Sequence, residues 1–530
     1  MKVALLTGLL LTMLFAGCIS TSDAEDPRVP KQPELDYEPT DIRVTGTSQE
    51  TLNIASFDGT ELSTIIYAPL TQDSLPDGSE PPFPVVVFMH AWAFPKEMYE
   101  YHQGSPTEAP YSILETFAQQ GFITVAYDSR GWGQSGGQTT ASFTNEMKDF
   151  DAVLEYVNAN FKTNGEVGVT GVSLGAGQAM KLWAENDNVT TVVPHNGWVD
   201  LYEGVVPGNV PKLEWFEFLY LAGVAGTGLQ LGPEVHDWYQ AAYTRNNLDD
   251  VRAAMDLRST HDVVDSVTKP LFTCQGLQES LFPQSHMAWE NAPGFVRAYY
   301  YAGGHNTRDG ECWDRTLDWF LYFLQGQDNG VDNWPPIVSV DASGGEPMEL
   351  KEWPETQDQV LYLRAPDFTE FPSNTSFEVA QQLVSNPLEE PSVIWDTLPA
   401  PRNAIPQQLR QDPTGVVFTS APLTETQLLL GAPEVHLEGN VTPGFQVVGT
   451  LYHISEGMSR VLGYAAYAAI EEQHTEDVTL VFPWIKATMA PGDQYQLKLA
   501  SNQPELYMPL LADYTVSFNG ESTIVLPFVA

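Results

Sequence analysis

From Leu52 to about Leu324, short apolar runs rich in β-branched and aromatic residues recur between longer stretches of helical spacing. Residues 52–57 and 62–68 form two such runs around Asp58-Gly59, and they read as an opening hairpin because an Asp-Gly pair tolerates the positive φ of tight turns. Residues 84–89, 123–127, 166–170, 190–194, 270–273 and 297–301 read as further strands, and residues 111–120 and 145–160 as helices between them. Strands that are apolar on both faces and separated by helices predict a largely parallel sheet covered on each side. Between Trp198 and about Val267 this alternation stops, and an insertion of about 70 residues carries Trp215, Phe216, Phe218, Tyr220, Trp238, Tyr239 and Tyr243. Insertions of that size in such folds commonly form lids. Beyond Gln325 the rhythm changes to short strand-like pieces between Pro- and Gly-rich turns, at 416–419, 427–430, 434–438, 446–453, 495–500 and 523–529. That pattern predicts an all-β sandwich or jelly roll.

The amino end has its own pattern. Val3 to Ala16 is an apolar stretch of about 14 residues behind Lys2, too short to span a bilayer and suited to a signal-peptide core. It runs into Phe15-Ala16-Gly17-Cys18, which resembles a lipoprotein cleavage box with Cys18 as the lipid attachment site. Residues 19–48 are polar and acidic and contain Pro27, Pro30, Pro33 and Pro39, the composition of a tether. The expected organisation is a signal peptide at 1–18, a tether at 19–48, an α/β domain at 49–325 with its cap at about 198–267, a linker at 326–345 and a β domain at 346–530. The body is expected outside the cytoplasm, held to the membrane through its N-terminal lipid.

Composition narrows the functions this chain can serve. A 43% apolar share with 41 Gly and 39 Pro describes a folded protein rather than a disordered or fibrous one. With 24 Lys and Arg against 69 Asp and Glu, the formal charge of −45 repels nucleic-acid phosphates, so nucleic acid is excluded as a partner. The same excess self-repels unless counterions screen it; a salt-rich setting or a well-solvated acidic surface accommodates it. Besides Cys18 only Cys274 and Cys312 remain, which excludes a disulfide framework and a cysteine zinc site. Those two thiols are expected to be buried separately, although one bridge between them is open.

The chemistry gathers at loops that follow strands. Residues 166–170 lead into Gly171-Val172-Ser173-Leu174-Gly175 and then a helical stretch. Small residues around a serine permit a sharp strand-to-helix turn that lifts the hydroxyl clear of the sheet, the arrangement of a nucleophile elbow. A serine needs a base, itself oriented by an acid. His305 follows residues 297–301 through Ala302-Gly303-Gly304 and is the candidate base; His261 and His286 read as structural or solvent-facing. Glu279 is the carboxylate on the loop after residues 270–273 and is the candidate acid. The backbone N–H groups of Trp92 and Leu174 are the candidate oxyanion donors. His90 is expected to brace its loop, and Asp128 and Arg130 to be structural. Trp198, Trp215 and Trp238 are the candidate substrate contacts in the lid. No metal or organic cofactor is called for.

These residues resemble the X-Pro dipeptidyl-peptidase and cocaine-esterase-like serine hydrolases of the α/β-hydrolase superfamily. The resemblance rests on Asp128-Ser129-Arg130-Gly131-Trp132-Gly133-Gln134-Ser135-Gly136, the elbow, the loop from Gly276 to Pro283, the Gly303-Gly304-His305 ending, and Val417-Phe418-Thr419-Ser420 with Leu430-Gly431-Ala432-Pro433. It implies an α/β-hydrolase with a helical cap, a triad of Ser173, Glu279 and His305, and a C-terminal galactose-binding-like jelly roll. Three departures stand out: Glu279 replaces an Asp, Leu174 replaces the Tyr that often follows the nucleophile, and His90-Ala91-Trp92 replaces a Pro-Tyr pair. The implied function is an exported hydrolase of small ester, amide or peptide substrates. The alternatives are an X-Pro dipeptidyl-peptidase, for which Glu203, Glu214, Glu217 and Asp237 in the cap could hold a substrate ammonium, and an inactive carbohydrate-binding surface lipoprotein. Oligomeric state is not legible.

Overall fold

The structure is a computed structural model. It describes residues 46–70, 82–100, 112–340 apart from 143, 229, 306 and 308, then 348–350, 356–363, 368–369, 415–441, 445–469 apart from 457, 477–500, 507, 516–518 and 522–529. The signal peptide, Cys18 and nearly all of the tether lie outside these residues.

Ten strands form one mixed sheet: β1 (Thr47–Ala55), β2 (Glu61–Pro69), β3 (Phe83–Met89), β4 (Ile123–Tyr127), β5 (Thr163–Val172), β6 (Thr191–His195), β7 (Leu271–Gly276), β8 (Val296–Tyr301), β9 (Ile337–Ser339) and β10 (Met348–Leu350). Their spatial order is β1-β2-β4-β3-β5-β6-β7-β8-β9-β10. The pairings from β4 through β9 are parallel, and the flanking hairpin and β10 are antiparallel. Helices α1 (Ile113–Gln119), α2 (Thr144–Asn160), α3 (Leu174–Glu185), α8 (Ser285–Asn291) and α9 (Gly310–Gln325) flank the sheet. The cap supplies α4 (Leu201–Val205), α5 (Leu213–Gly226), α6 (Pro233–Thr244) and α7 (Leu248–Asp256).

The apolar strands are explained by what each face meets. On β3, Val85, Val87 and Met89 join a core with Phe150 and Val153 of α2 and Trp183 of α3. Val86 and Phe88 point the other way into a core with Phe117 of α1 and Trp319 and Phe320 of α9. Both sides of the strand are buried, so the alternation of a half-exposed strand is absent from the sequence.

The expected linker at 326–345 is corrected by β9, which pairs with β8 from Ala298↔Ile337 to Tyr300↔Ser339 and is wholly buried. Three residues behind Pro335-Pro336 are too few for a strand pattern, yet burying Ile337 and Val338 on opposite faces fixes them to the sheet. A second correction concerns the cysteines. Cys274 on β7 and Cys312 on α9 are joined by a disulfide, with their Cα atoms 6.1 Å apart. Packing of that helix across that strand brings the pair within bridging reach.

The C-terminal domain is antiparallel throughout its described residues, in one larger and one four-stranded sheet. Val435, Leu437, Leu497, Leu499, Ile524 and Leu526 fill its core. It packs directly on the hydrolase domain. Trp484 stacks on Tyr300 with ring centroids 4.7 Å apart and meets Trp289 edge-on at 6.0 Å. Lys486 Nζ donates to Ser339 O at 3.3 Å across the same boundary.

Candidate active site

Ser173 sits between β5 and α3 with φ 57° and ψ −111°, a backbone conformation L-residues seldom adopt. The glycines make room for it. A Cβ on Gly175 would lie 1.9 Å from Met89 O of β3, so only glycine lets the first turn of α3 pass that close to the neighbouring strand. The Ser173 N–H donates to His195 O at 3.0 Å and pins the turn to the end of β6.

His305 and Glu279 reach this point from the two adjacent strand ends. The loops after β7 and β8 touch backbone to backbone: Gln278 N–H donates to Gly303 O at 2.8 Å, and a Cβ on Gly276 would meet that same oxygen at 2.3 Å. Ser173 Oγ and His305 Nε2 are 2.8 Å apart, and His305 Nδ1 is 2.8 Å from Glu279 Oε2. The other carboxylate oxygen, Oε1, accepts the Leu281 N–H at 2.7 Å and the Phe282 N–H at 3.1 Å. All three side chains are buried, and the imidazole lies edge-on to Trp215 and Phe282 at 4.9 and 5.7 Å. The structure therefore brings together the hydroxyl, imidazole and carboxylate singled out above. A proton on Oγ can pass to Nε2 while Nδ1–H stays directed at the carboxylate.

Trp92 and Leu174 both border the serine. Among the described residues their backbone N–H groups have no hydrogen-bond partner, and Leu174 opens α3, where a first-turn N–H has none within its helix. His90 braces the preceding loop: its Nε2 accepts the Ser129 N–H at 3.0 Å and its Nδ1 is 2.9 Å from Ala91 O. Burial holds its pKa below the ordinary histidine value, so it stays neutral. Asp128 accepts from Lys96 and Gln134 backbone N–H groups at 2.7 and 2.9 Å, and Arg130 grips Asp149 through two hydrogen bonds of 2.8 and 2.6 Å. Both are structural. His261 lies 3.7 Å from Asp200, and His286 is on α8; neither borders the serine.

Two small cavities open on Ser173. One, of about 110 Å³, is walled by Trp92, Leu174, Trp198, Phe216, Trp238 and Phe282 and carries no charged side chain among the described residues. The other, of about 120 Å³, contains Ser173, His305, Trp215, Asn196 and Asp309. Trp198 Nε1 donates to Arg258 O at 2.9 Å, and the Arg258 guanidinium lies 4.3 Å over Trp238, so these two walls are fixed. Trp215 Nε1 donates to Ser280 Oγ at 2.9 Å. The four cap carboxylates border neither cavity. Glu203 pairs with Arg252 at 2.6 Å, Glu217 accepts the Tyr239 O–H at 2.9 Å, and Glu214 and Asp237 are exposed.

Two positioning residues escape sequence reasoning. Asn196 Nδ2 donates to Tyr301 Oη at 2.7 Å and His305 O at 3.2 Å, while its Oδ1 accepts the Gly276 N–H at 2.9 Å, locking three strand ends together. Its one local signal is position, a polar residue directly after an apolar strand. Lys212 is buried beside the acid loop, with Nζ donating to Leu281 O at 2.8 Å; burial draws its pKa down to about 8 against the opposing pull of Glu279.

Residues 58–294 match the X-Pro dipeptidyl-peptidase (S15 family), and residues 329–525 match the X-Pro dipeptidyl-peptidase C-terminal non-catalytic domain. A Bacillus anthracis protein named "Putative Xaa-Pro dipeptidyl-peptidase" is 23% identical over 395 residues, 65% of this chain and 61% of its own length. The match thus spans about three-fifths of that relative. Among solved structures, a CocE/NonD family hydrolase from Staphylococcus aureus superposes with a TM-score of 0.69 at 14% identity, covering 94% of this chain and 99% of its own. An α-amino acid ester hydrolase superposes with a TM-score of 0.68 at 15% identity, covering 96% and 100%. At such identities the likeness to these structures carries the fold. The family itself is carried by the two consecutive matches, over 58–294 and 329–525: the chain belongs to the X-Pro dipeptidyl-peptidase S15 family and carries that family's C-terminal domain.

Proposed function

We propose that this protein is an exported, lipid-anchored serine hydrolase that cleaves esters or amides through an acyl-enzyme on Ser173. The observation that carries the reading is the unbroken chain of 2.8 Å contacts from Ser173 Oγ through the His305 ring to Glu279. His305 Nε2 removes the hydroxyl proton as Oγ attacks the carbonyl carbon, and the imidazolium that forms is stabilised by Glu279. The oxyanion is met by the N–H groups of Trp92 and Leu174. The imidazolium returns its proton to the leaving group, and water activated at the same nitrogen releases the acyl group and the free serine. The uncharged, aromatic walls of the cavity beside Leu174 support an apolar acyl group. A dipeptide's free ammonium calls for a carboxylate, and Asp309, which borders the neighbouring cavity and already accepts the Cys312 N–H, stands outside these walls.

One labelling experiment tests the reading. A fluorophosphonate probe is expected to modify Ser173 in the wild type, to spare Ser173→Ala, and to follow the membrane fraction in cells. Cys18→Ala is expected to send the labelled protein to the soluble fraction. Labelling that persists in Ser173→Ala would refute the nucleophile, and unchanged partitioning of Cys18→Ala the anchor. Parallel rates on p-nitrophenyl esters and X-Pro-p-nitroanilides separate an acyl hydrolase from a dipeptidyl-peptidase.

A further inference from the structure

Trp198 walls the cavity beside Leu174, and the chain around it leads to a second group of polar side chains, away from the serine. Asp200 follows Trp198 by two residues. Arg258, whose carbonyl accepts the Trp198 indole N–H, lies between Asp256 at the end of α7 and His261 on the next loop. Backbone bonds tie these segments together. Thr260 and His261 N–H groups both donate to Val199 O, at 2.8 and 3.2 Å, and the Leu201 N–H donates to Ser259 Oγ at 2.9 Å. Gln284 Oε1 accepts the Val199 and Asp200 N–H groups, each at 2.9 Å. The frame around the group is therefore set without its own side chains.

One ligand atom from each of Asp200, Asp256 and His261 lies within 4.8 Å of the other two. These side chains do not satisfy one another. Asp256 Oδ1 and His261 Nδ1 are buried atoms with no hydrogen-bond partner among the described residues. His261 Nδ1 faces Asp200 Oδ2 at 3.7 Å, beyond the reach of a hydrogen bond. Asp200 is only 6% exposed, and its Oδ1 is engaged by the Glu203 N–H at 2.9 Å. The flanking charges, Glu203 and Arg252, pair with each other at 2.6 Å and act on Asp200 in opposite directions. A carboxylate oxygen and a ring nitrogen left buried and unmatched cost free energy, which a bound cation removes. A tetrahedral ion with bonds of about 2.0–2.2 Å holds neighbouring ligand atoms about 3.3–3.6 Å apart, close to the 3.7 Å between Nδ1 and Oδ2. His261 Nε2 lies 3.3 Å from Asp262 Oδ1, the orienting carboxylate that a metal-bound imidazole commonly has at its other nitrogen. That leaves the Nδ1 lone pair for the ion. An imidazolium bridging Asp200 and Asp262 is the simpler occupant, but it leaves Asp256 Oδ1 unmet and Nδ1–H without an acceptor in reach.

We propose that Asp200, Asp256 and His261 bind a divalent ion of the zinc class, which fastens the end of α7 and the loop behind it to the start of α4. One imidazole with two carboxylates suits Zn²⁺ better than Ca²⁺ or Mg²⁺, which take oxygen ligands. The His261 side chain is 25% exposed, so the ion enters from solvent and water completes its coordination. Its role is structural. All three ligands come from segments that hold Trp198, so the ion steadies one wall of the apolar cavity and takes no part in the chemistry at Ser173.

The full-length chain, stripped with a chelator and dialysed, is titrated calorimetrically with zinc chloride at neutral pH, and in parallel with calcium chloride. One Zn²⁺ per chain is expected, bound at least tenfold tighter than Ca²⁺, with the thermal unfolding midpoint raised when the site is filled. His261→Gln and Asp256→Asn are each expected to weaken Zn²⁺ binding at least tenfold and to remove that rise. The two substitutions lie on different segments, so misfolding of one does not decide the result. Absence of Zn²⁺ binding overturns the proposal and leaves the imidazolium bridge as the occupant. Binding that survives both substitutions belongs to other surface groups and overturns it equally, and Ca²⁺ binding tighter than Zn²⁺ overturns the choice of ion.

Discussion

Glu279 is one methylene longer than the Asp that the family resemblance leads one to expect, and the surrounding loop absorbs the difference. Its Oε1 is tied down by the backbone N–H groups of Leu281 and Phe282, so Oε2 presents to His305 Nδ1 at a fixed 2.8 Å. A neutral amide at this position keeps the shape but loses the charge that stabilises the imidazolium, and it offers a donor where the ring needs an acceptor. Glu279→Gln is therefore expected to lower kcat by ~10² to 10⁴ with little change in KM, by analogy with removal of a triad acid. Steady-state kinetics on a p-nitrophenyl ester would show it, and an unchanged kcat would mean that another group orients the imidazole. The residues of this chain of contacts were legible because each follows a recognisable strand. Asn196 was not, since its three partners lie 80 to 109 positions away in sequence and meet only when three strand ends align.

Among the elements, the strand-turn-helix that carries Ser173 has the least freedom. The approach of α3 to β3 at Gly175 leaves no space for a methyl group, and Met89 O is backbone that cannot rotate away. Gly175→Ala is expected to destabilise the protein by ~3 kcal/mol, the upper part of the usual range for overpacking, and to displace Ser173. Urea unfolding together with fluorophosphonate labelling would reveal both effects; an alanine variant of native stability and labelling would mean that α3 can draw back from Met89 O at no cost. Strong apolar runs of five or more residues in the hydrolase sheet were visible in the sequence, whereas β9 was hidden by its length. In the β domain the strands Met458–Ala468, Asp477–Val481 and Ile485–Met489 are not legible in the sequence. The first begins exposed and continues through small alanines, and the second alternates exposed and buried positions over only five residues. Their identity comes from pairing with stronger neighbours, such as the register of Gln446–Ser455 on Met458–Ala468.

At the scale of the whole molecule, the two domains share a core rather than touching at a seam. Trp484 and Leu430 of the β domain belong to the same buried cluster as the hydrolase sheet, and Trp484 stacks on Tyr300 of β8. Trp484→Ala is expected to cost ~3 to 5 kcal/mol, as for other buried Trp truncations. In calorimetry the unfolding transition should shift down and split if that ring couples the domains; a single transition at the wild-type temperature would show that it does not.

Hydrophobic rhythm and turn chemistry along the chain were enough to forecast an α/β body with a lid and a trailing β domain. They also sufficed to name a serine, a histidine and a glutamate on successive post-strand loops, because strands, helices and turns leave local, periodic traces. Contacts between distant segments leave none. The bridge between Cys274 and Cys312, the seat of β9 between β8 and β10, and the grip of Asn196 all depend on which surfaces meet after folding. That meeting is set by the packing of the whole, and no short window of residues records it.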